Sequence, residues 1–149
     1  MLEEIRGDSA ALSVRAEALL ELASARAQQG RFDEARKDID RAASLFEGLG
    51  QRLLRAALHP IAEVELLAGN PKGAIERLEP RAEELRRMRE KSFLSTSAAW
   101  LAQANYELGR YEEALELTRE SEATAAPDDL ESQIRWRGPA PSCWRERGI

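Results

Sequence analysis

At 149 residues, 43% hydrophobic and 33% charged, the chain has the length of one ordinary domain and is too apolar to be disordered. Its 27 acidic and 22 basic residues, net −5, are interleaved along the chain and aromatics make up only 5%, which excludes a basic, aromatic-lined groove for nucleic acid. One cysteine, Cys143, and one histidine, His59, exclude an internal disulfide and a soft-ligand metal framework, so neither a metal nor a cofactor is expected.

The opening stretch MLEEIRGDSA lacks the basic and apolar regions of a signal peptide, and no run approaches the roughly 18 apolar residues of a membrane span, so a soluble, cytoplasmic protein is expected. Residues 1–8 read as a lead-in. Asp8 or Ser9 is placed to cap a first helix over 9–29, which explains the acid of the Arg6, Gly7, Asp8 tripeptide without an adhesion role. Leu19, Leu22 and Ala23 mark one face of that helix, and Gly30 closes it. Phe32 opens a second helix over 32–47 with Ala35, Ile39 and Ala42 inward and Asp33 and Glu34 at the positive end of its dipole.

A third helix over 51–68 carries Leu58, Ile61 and Ala62, with Pro60 inside it. Gly69 ends it, Asn70 is a cap, and Pro71 fits the first turn of a helix over 71–90, which contains Pro80. Kinks or breaks are expected at Pro60 and Pro80, each costing about 3 kcal/mol in a regular helix interior. The basic run RRMREK at 86–91 reads as a solvated helix end. Helices follow over 93–108, with Ala98, Leu101 and Ala102, and over 111–125, with Ala114 and Leu117 behind Glu112 and Glu113. Pro127 ends the last of these, and Asp128 caps a helix over 129–137. Beyond it, PAPSCWRERGI breaks the pattern: it is either a frayed terminus or a frameshift, since GC-rich codons for PSCWRERGI read one frame over as a further helix and turn. Trp136 and Trp144 have no assigned place, and Cys143 no role.

The closing glycines repeat. Gly30, Gly69 and Gly109 are 39 and 40 residues apart, and Gly148 falls 39 further on. Ala35, Ala74 and Ala114 stand five after them, and Ala23, Ala62 and Ala102 seven before. Leu22, Ile61 and Leu101 stand eight before, and Leu19, Leu58 and Ala98 eleven before. Each unit is a helical hairpin, with small residues where its two helices approach closely. A single hairpin cannot bury its apolar face, but stacked neighbours can. The expected fold is an all-α, right-handed solenoid of stacked antiparallel hairpins: a lead-in at 1–8, three repeats over 9–127, and the start of a fourth with an irregular tail at 128–149.

The phrases GRFDEA (30–35) and GRYEEA (109–114), with a worn copy GNPKGA (69–74), resemble tetratricopeptide repeats over roughly residues 9–127. The aromatic residues of that family's first helix are missing, Trp100 being two positions off. The period is that of the longer repeats, near 40 residues, of bacterial signalling ATPases and maltose-regulator-type transcription activators. The stretch from Tyr111 to Gly138 is similar to the repeat region that follows the cyclase and ATPase parts of bacterial adenylate or guanylate cyclase-like proteins. No cyclase metal-binding or phosphate-loop motif accompanies it.

The resemblance implies an interaction module whose first helices line a concave groove for a peptide or partner helix, with Gln28, His59, Glu63, Gln103 and Tyr106 as groove candidates. The alternative it implies is a regulatory repeat region of a larger bacterial signalling protein, whose partners are the catalytic domains of the same parent. His59 and Glu63, four apart, have the spacing of a proton relay or a metal pair, yet no nucleophile or third ligand accompanies them, so no enzyme activity is expected. Self-association through the C-terminal end is expected, because a solenoid needs a polar cap there. Neither nucleic acid nor membrane is an expected partner.

Overall fold

The computed structural model describes residues 2–51 and 59–125. Six helices and no strand occur among them: α1 (Leu2–Gln28), α2 (Phe32–Gly48), α3 (Pro60–Leu67), α4 (Pro71–Met88), α5 (Lys91–Glu107) and α6 (Tyr111–Thr124). The fold is an all-α helical-repeat solenoid. Leu58, Pro127, the helix over 129–137, Trp136, Trp144, Cys143, Gly148 and the irregular tail lie outside the described residues.

The hairpin turns are built alike. After α1, α3 and α5 a glycine takes the left-handed conformation, with φ of 77°, 72° and 75° at Gly30, Gly69 and Gly109. In each turn the glycine N–H reaches back three residues and the next N–H five, as in Arg31 to the Arg26 carbonyl at 2.9 Å and Arg110 to that of Asn105 at 2.9 Å. This double bond pattern satisfies carbonyls that the helix end would otherwise strand. Arg89 makes the same turn after α4 at φ 54°, a conformation unfavourable for a side chain bearing a Cβ. Asn70 caps α4 as expected, its Oδ1 accepting from Gly73 N–H at 3.1 Å, with Pro71 in the first turn.

Two expectations are corrected. The first helix starts at Leu2 and not at residue 9, so the lead-in is helical and Asp8 and Ser9 are interior positions. Gly7 costs a helix only about 1 kcal/mol, and Glu3 and Glu4 already supply the negative first turn. Pro80 does not break its helix, because α4 runs through it from Pro71 to Met88. The carbonyl that the proline deprives of a donor belongs to Glu76; both residues are exposed, so solvent reaches it, and Arg81 Nη1 donates to the next carbonyl, Arg77, at 2.8 Å. At Pro60, where a kink or break is expected, the described helix α3 begins, and the proline occupies its first turn, where no helical donor is lost.

Two cores knit the hairpins together. In the first, Ala16, Ala23 and Ala27 of α1 and Ala35, Ile39, Ala42 and Phe46 of α2 enclose Ile61 and Val64 of α3. In the second, Ala62 of α3 and Ala74, Leu78, Ala82 and Leu85 of α4 meet Leu94, Trp100, Leu101 and Ala104 of α5. The short α3 is thus buried on both sides, which is why its sequence is apolar nearly all round. Alanines at the helix crossings let the backbones approach, and the branched and aromatic side chains between them supply most of the burial, about 1.5–3 kcal/mol for each fully buried large side chain.

Polar latches join one hairpin to the next. Arg36 of α2 grips Glu65 of α3 with bonds of 2.8 and 2.9 Å, and Asn70 donates to the same carboxylate at 2.9 Å. Arg77 of α4 reaches Asp40 of α2 at 2.7 Å. Arg86 forms a two-pronged pair with Glu120 of α6, both bonds 2.8 Å, and also meets Glu79 and Glu83. The RRMREK run is anchored through Arg86, while Arg87, Met88, Arg89 and Lys91 are exposed at the helix end. The Arg36 guanidinium, helped by Asn70 and Arg77 against the effect of burial, holds the Glu65 carboxyl below the usual glutamate range, and Glu120 with Glu79 pushes Arg86 up.

Candidate functional site

The first helices of the hairpins lie side by side, α1 against α3 and α3 against α5. Six residues before each closing glycine stand Ser24, Glu63 and Gln103, all half-buried. Equal position in the repeat puts them on equivalent faces of adjacent helices. Ser24 Oγ donates to Glu63 Oε2 at 2.7 Å, directly bridging α1 and α3. Gln103 Nε2 donates to Glu107 Oε1, one turn on, at 3.3 Å. Gln28 is exposed at the end of α1, and the half-buried Tyr106 sets its ring 5.4 Å from that of Tyr111.

His59 departs from this set. Its Nε2 lies 3.2 Å from the Phe93 carbonyl and 3.0 Å from Ser97 Oγ, and its ring centroid is 6.1 Å from that of Phe93. A serine beside a histidine is the start of a nucleophilic site, but Ser97 is fully buried, which opposes that chemistry. Glu63 turns to α1 while His59 turns to α5, so the spacing of four in the sequence brings no bond between them. Among the described residues no group of three His, Cys, Asp or Glu side chains is arranged to hold a metal ion.

One feature lies away from the five candidates. An open cleft of about 870 Å³ sits at the start of α6, lined by Arg110, Tyr111, Leu115 and Arg119 among others. In the sequence, Glu112 and Glu113 of this cleft read as dipole-matching charges and Tyr111 as the aromatic that opens a helix; the ring contact of Tyr111 with the candidate Tyr106 connects the cleft to the polar face. The latch carboxylate Glu65 was also hidden by its neighbours, although an acid flanked by Val64 and Leu66 in the apolar stretch IAEVELLAG is a signal of a buried, paired charge.

The family described as tetratricopeptide repeat matches residues 14–88, half of the chain. No curated protein and no solved structure gives a match. No helix among the described residues is long and apolar enough to cross a membrane.

Proposed function

Because this chain belongs to the tetratricopeptide repeat family, whose repeats mediate protein–protein interaction, we propose that it is a binding module, without catalysis of its own, that takes an extended peptide or a partner helix along the polar face of its first helices. The observation that carries this reading is the row Ser24, Glu63 and Gln103, one side chain from each hairpin at the same place in the repeat, with Ser24 already bonded to Glu63. Such a row offers hydrogen-bonding groups at the spacing of adjacent helices. That suits a ligand lying across the stack. Gln28 and Tyr106 extend the face at its two ends, and His59, tied to α5, borders it. A peptide-display selection against the whole chain tests the reading: ligands whose affinity falls tenfold or more in Glu63→Lys and Gln103→Ala, with helicity unchanged, support it, and ligands indifferent to both contradict it.

A second reading rests on the likeness of residues 111–138 to repeats that follow cyclase and ATPase parts. On this reading the chain is a regulatory segment of a larger bacterial signalling protein, and its partners are that parent's catalytic domains. The DNA on both sides of the reading frame tests it. A continuous cyclase or ATPase frame supports the reading, and its absence there contradicts it.

A further inference from the structure

Neighbouring first helices meet along one edge, and two contacts mark it. Ser24 of α1, six before its glycine, bonds to Glu63 of α3 at 2.7 Å. His59, ten before the second glycine and at the start of α3, reaches Ser97 of α5 at 3.0 Å and the Phe93 carbonyl at 3.2 Å. The same two positions in α5 are Gln103 and Ala99, with Thr96 one turn before Ala99. The helices packed against α5 are α3, α4 and α6. Ser95 faces α6 through its bonds with Ser121, Ser97 faces His59, and Leu94 and Leu101 share one core with Leu78 and Leu85 of α4. At about 100° per residue, Thr96 falls midway between Ser95 and Ser97 on the side away from Leu94 and Leu101, and Ala99 and Gln103 continue it. Yet Thr96 is only 7% and Ala99 only 4% exposed, whereas their counterparts in α1, Glu17 and Leu20, are exposed and half-buried. Neither side chain is long enough to fold back and cover itself, so this edge of α5 is covered by something other than the three helices named.

The chain that follows α6 starts beside this edge, since the bonds between Ser121 and Ser95 hold the end of α6 against the start of α5. From Ala125, eleven residues lead to Trp136, an extended reach of about 35 Å against helix spacings of about 10 Å. Repeat position picks out the same residue. Gly148 lies 39 after Gly109; twelve before it stands Trp136, the counterpart of Ser97, and sixteen before it stands Ser132, the counterpart of Phe93. Size is exchanged from one step to the next: the large His59 meets the small Ser97, and the small Ala99 matches the large Trp136. We infer that the Thr96 and Ala99 edge of α5 is a docking surface for the segment 129–137 of this same chain, seated there by Trp136. The inference follows from continuity with the two first-helix contacts inside the chain and is independent of the binding role proposed above. It closes the row of first helices beyond Gln103 with the chain's own segment, so that neither a foreign helix nor a second copy is what this edge receives.

Cross-linking of the full chain tests this, in a Cys143→Ser background so that only introduced cysteines react. One pair, Ala99→Cys with Ser132→Cys, spans the docking surface; the other, Ser24→Cys with Glu63→Cys, spans the bond between α1 and α3 and serves as the standard. Both are checked for unchanged helicity and treated with a short bis-maleimide at low protein concentration, and the products are mapped by mass spectrometry. The expected result is a link from 99 to 132 within one chain, formed at a rate within about threefold of the standard and slowed about tenfold or more by adding Trp136→Ala. A standard that links while the 99 and 132 pair does not, a link from 99 to 132 found only between two chains, or a link indifferent to Trp136→Ala would each overturn the inference.

Discussion

Arg36 and Glu65, 29 residues apart in the chain, form a two-pronged ion pair that bolts the second helix of the first hairpin to the first helix of the second, with Glu65 only 3% exposed. Removing the charge at Glu65 leaves two arginines, Arg36 and Arg77, facing an uncharged group. Because Arg36 is partly open to solvent, Glu65→Gln is expected to cost about 2 kcal/mol, below the range for a fully buried pair. Urea denaturation measures it.

The same pair sets a pH dependence. The folded Glu65 carboxyl titrates below its unfolded value of about 4.3, so its contribution is fully present above that pH and is lost as the pH falls through the folded value. Stability followed downward from pH 5 should fall more steeply in wild type than in Glu65→Gln. Parallel curves for the two proteins would contradict the assignment.

Ser95 and Ser121 exchange bonds inside the third hairpin: each hydroxyl donates to the other's carbonyl, at 3.0 and 2.8 Å, and both residues are fully buried. The matching positions of the first hairpin are Ala16 and Ala42, which are also fully buried. Alanine therefore fits the site in both helices. Each single serine-to-alanine change is expected to cost about 1 kcal/mol, and the double change less than the sum. Strict additivity in denaturation midpoints would show that the two bonds are independent.

Position along the stack should decide the cost of one chemical change. Leu101 is fully buried between hairpins, so Leu101→Ala is expected to cost about 3 kcal/mol. Leu22, at the same place in the repeat but 40% exposed, should cost under about 1 kcal/mol in dilute solution. Thermal melts of the two variants at low concentration make the comparison.

Arg89 holds a left-handed turn between the second and third hairpins, a conformation that glycine takes at Gly30, Gly50, Gly69 and Gly109. Arg89→Gly is expected to stabilise the protein by about 1 kcal/mol, since the backbone penalty of a residue with a Cβ is removed. Gly30→Ala, which meets no neighbouring atom and suffers only in its backbone, should move stability by a similar amount in the opposite direction.

The repeat was legible because its punctuation is chemical. Gly30, Gly69 and Gly109 and the alanines seven before and five after them fall where the structure puts left-handed turns and helix crossings. What stayed hidden depends on neighbours. Pro80 reads as a break until its freed carbonyl is seen to face solvent, and Asp8 reads as a cap until the acids before it extend the helix. Leu22 looks like core because its counterparts Ile61 and Leu101 are core, yet it is 40% exposed, because burial at this position comes from a neighbouring hairpin and not from its own helix. Among the groove candidates, repeat position placed Glu63 and Gln103 on equivalent faces, while the attachment of His59 to α5 depends on Phe93 and Ser97, 34 and 38 residues away.

The binding role is tested most directly by amide chemical-shift mapping of the full chain titrated with a peptide selected against it. The account predicts the largest perturbations at Gln28, Glu63, Gln103 and Tyr106, and their loss in Glu63→Lys. Perturbations confined to Tyr111, Leu115 and Arg119 would place the ligand in the α6 cleft and contradict a binding face formed by the first helices.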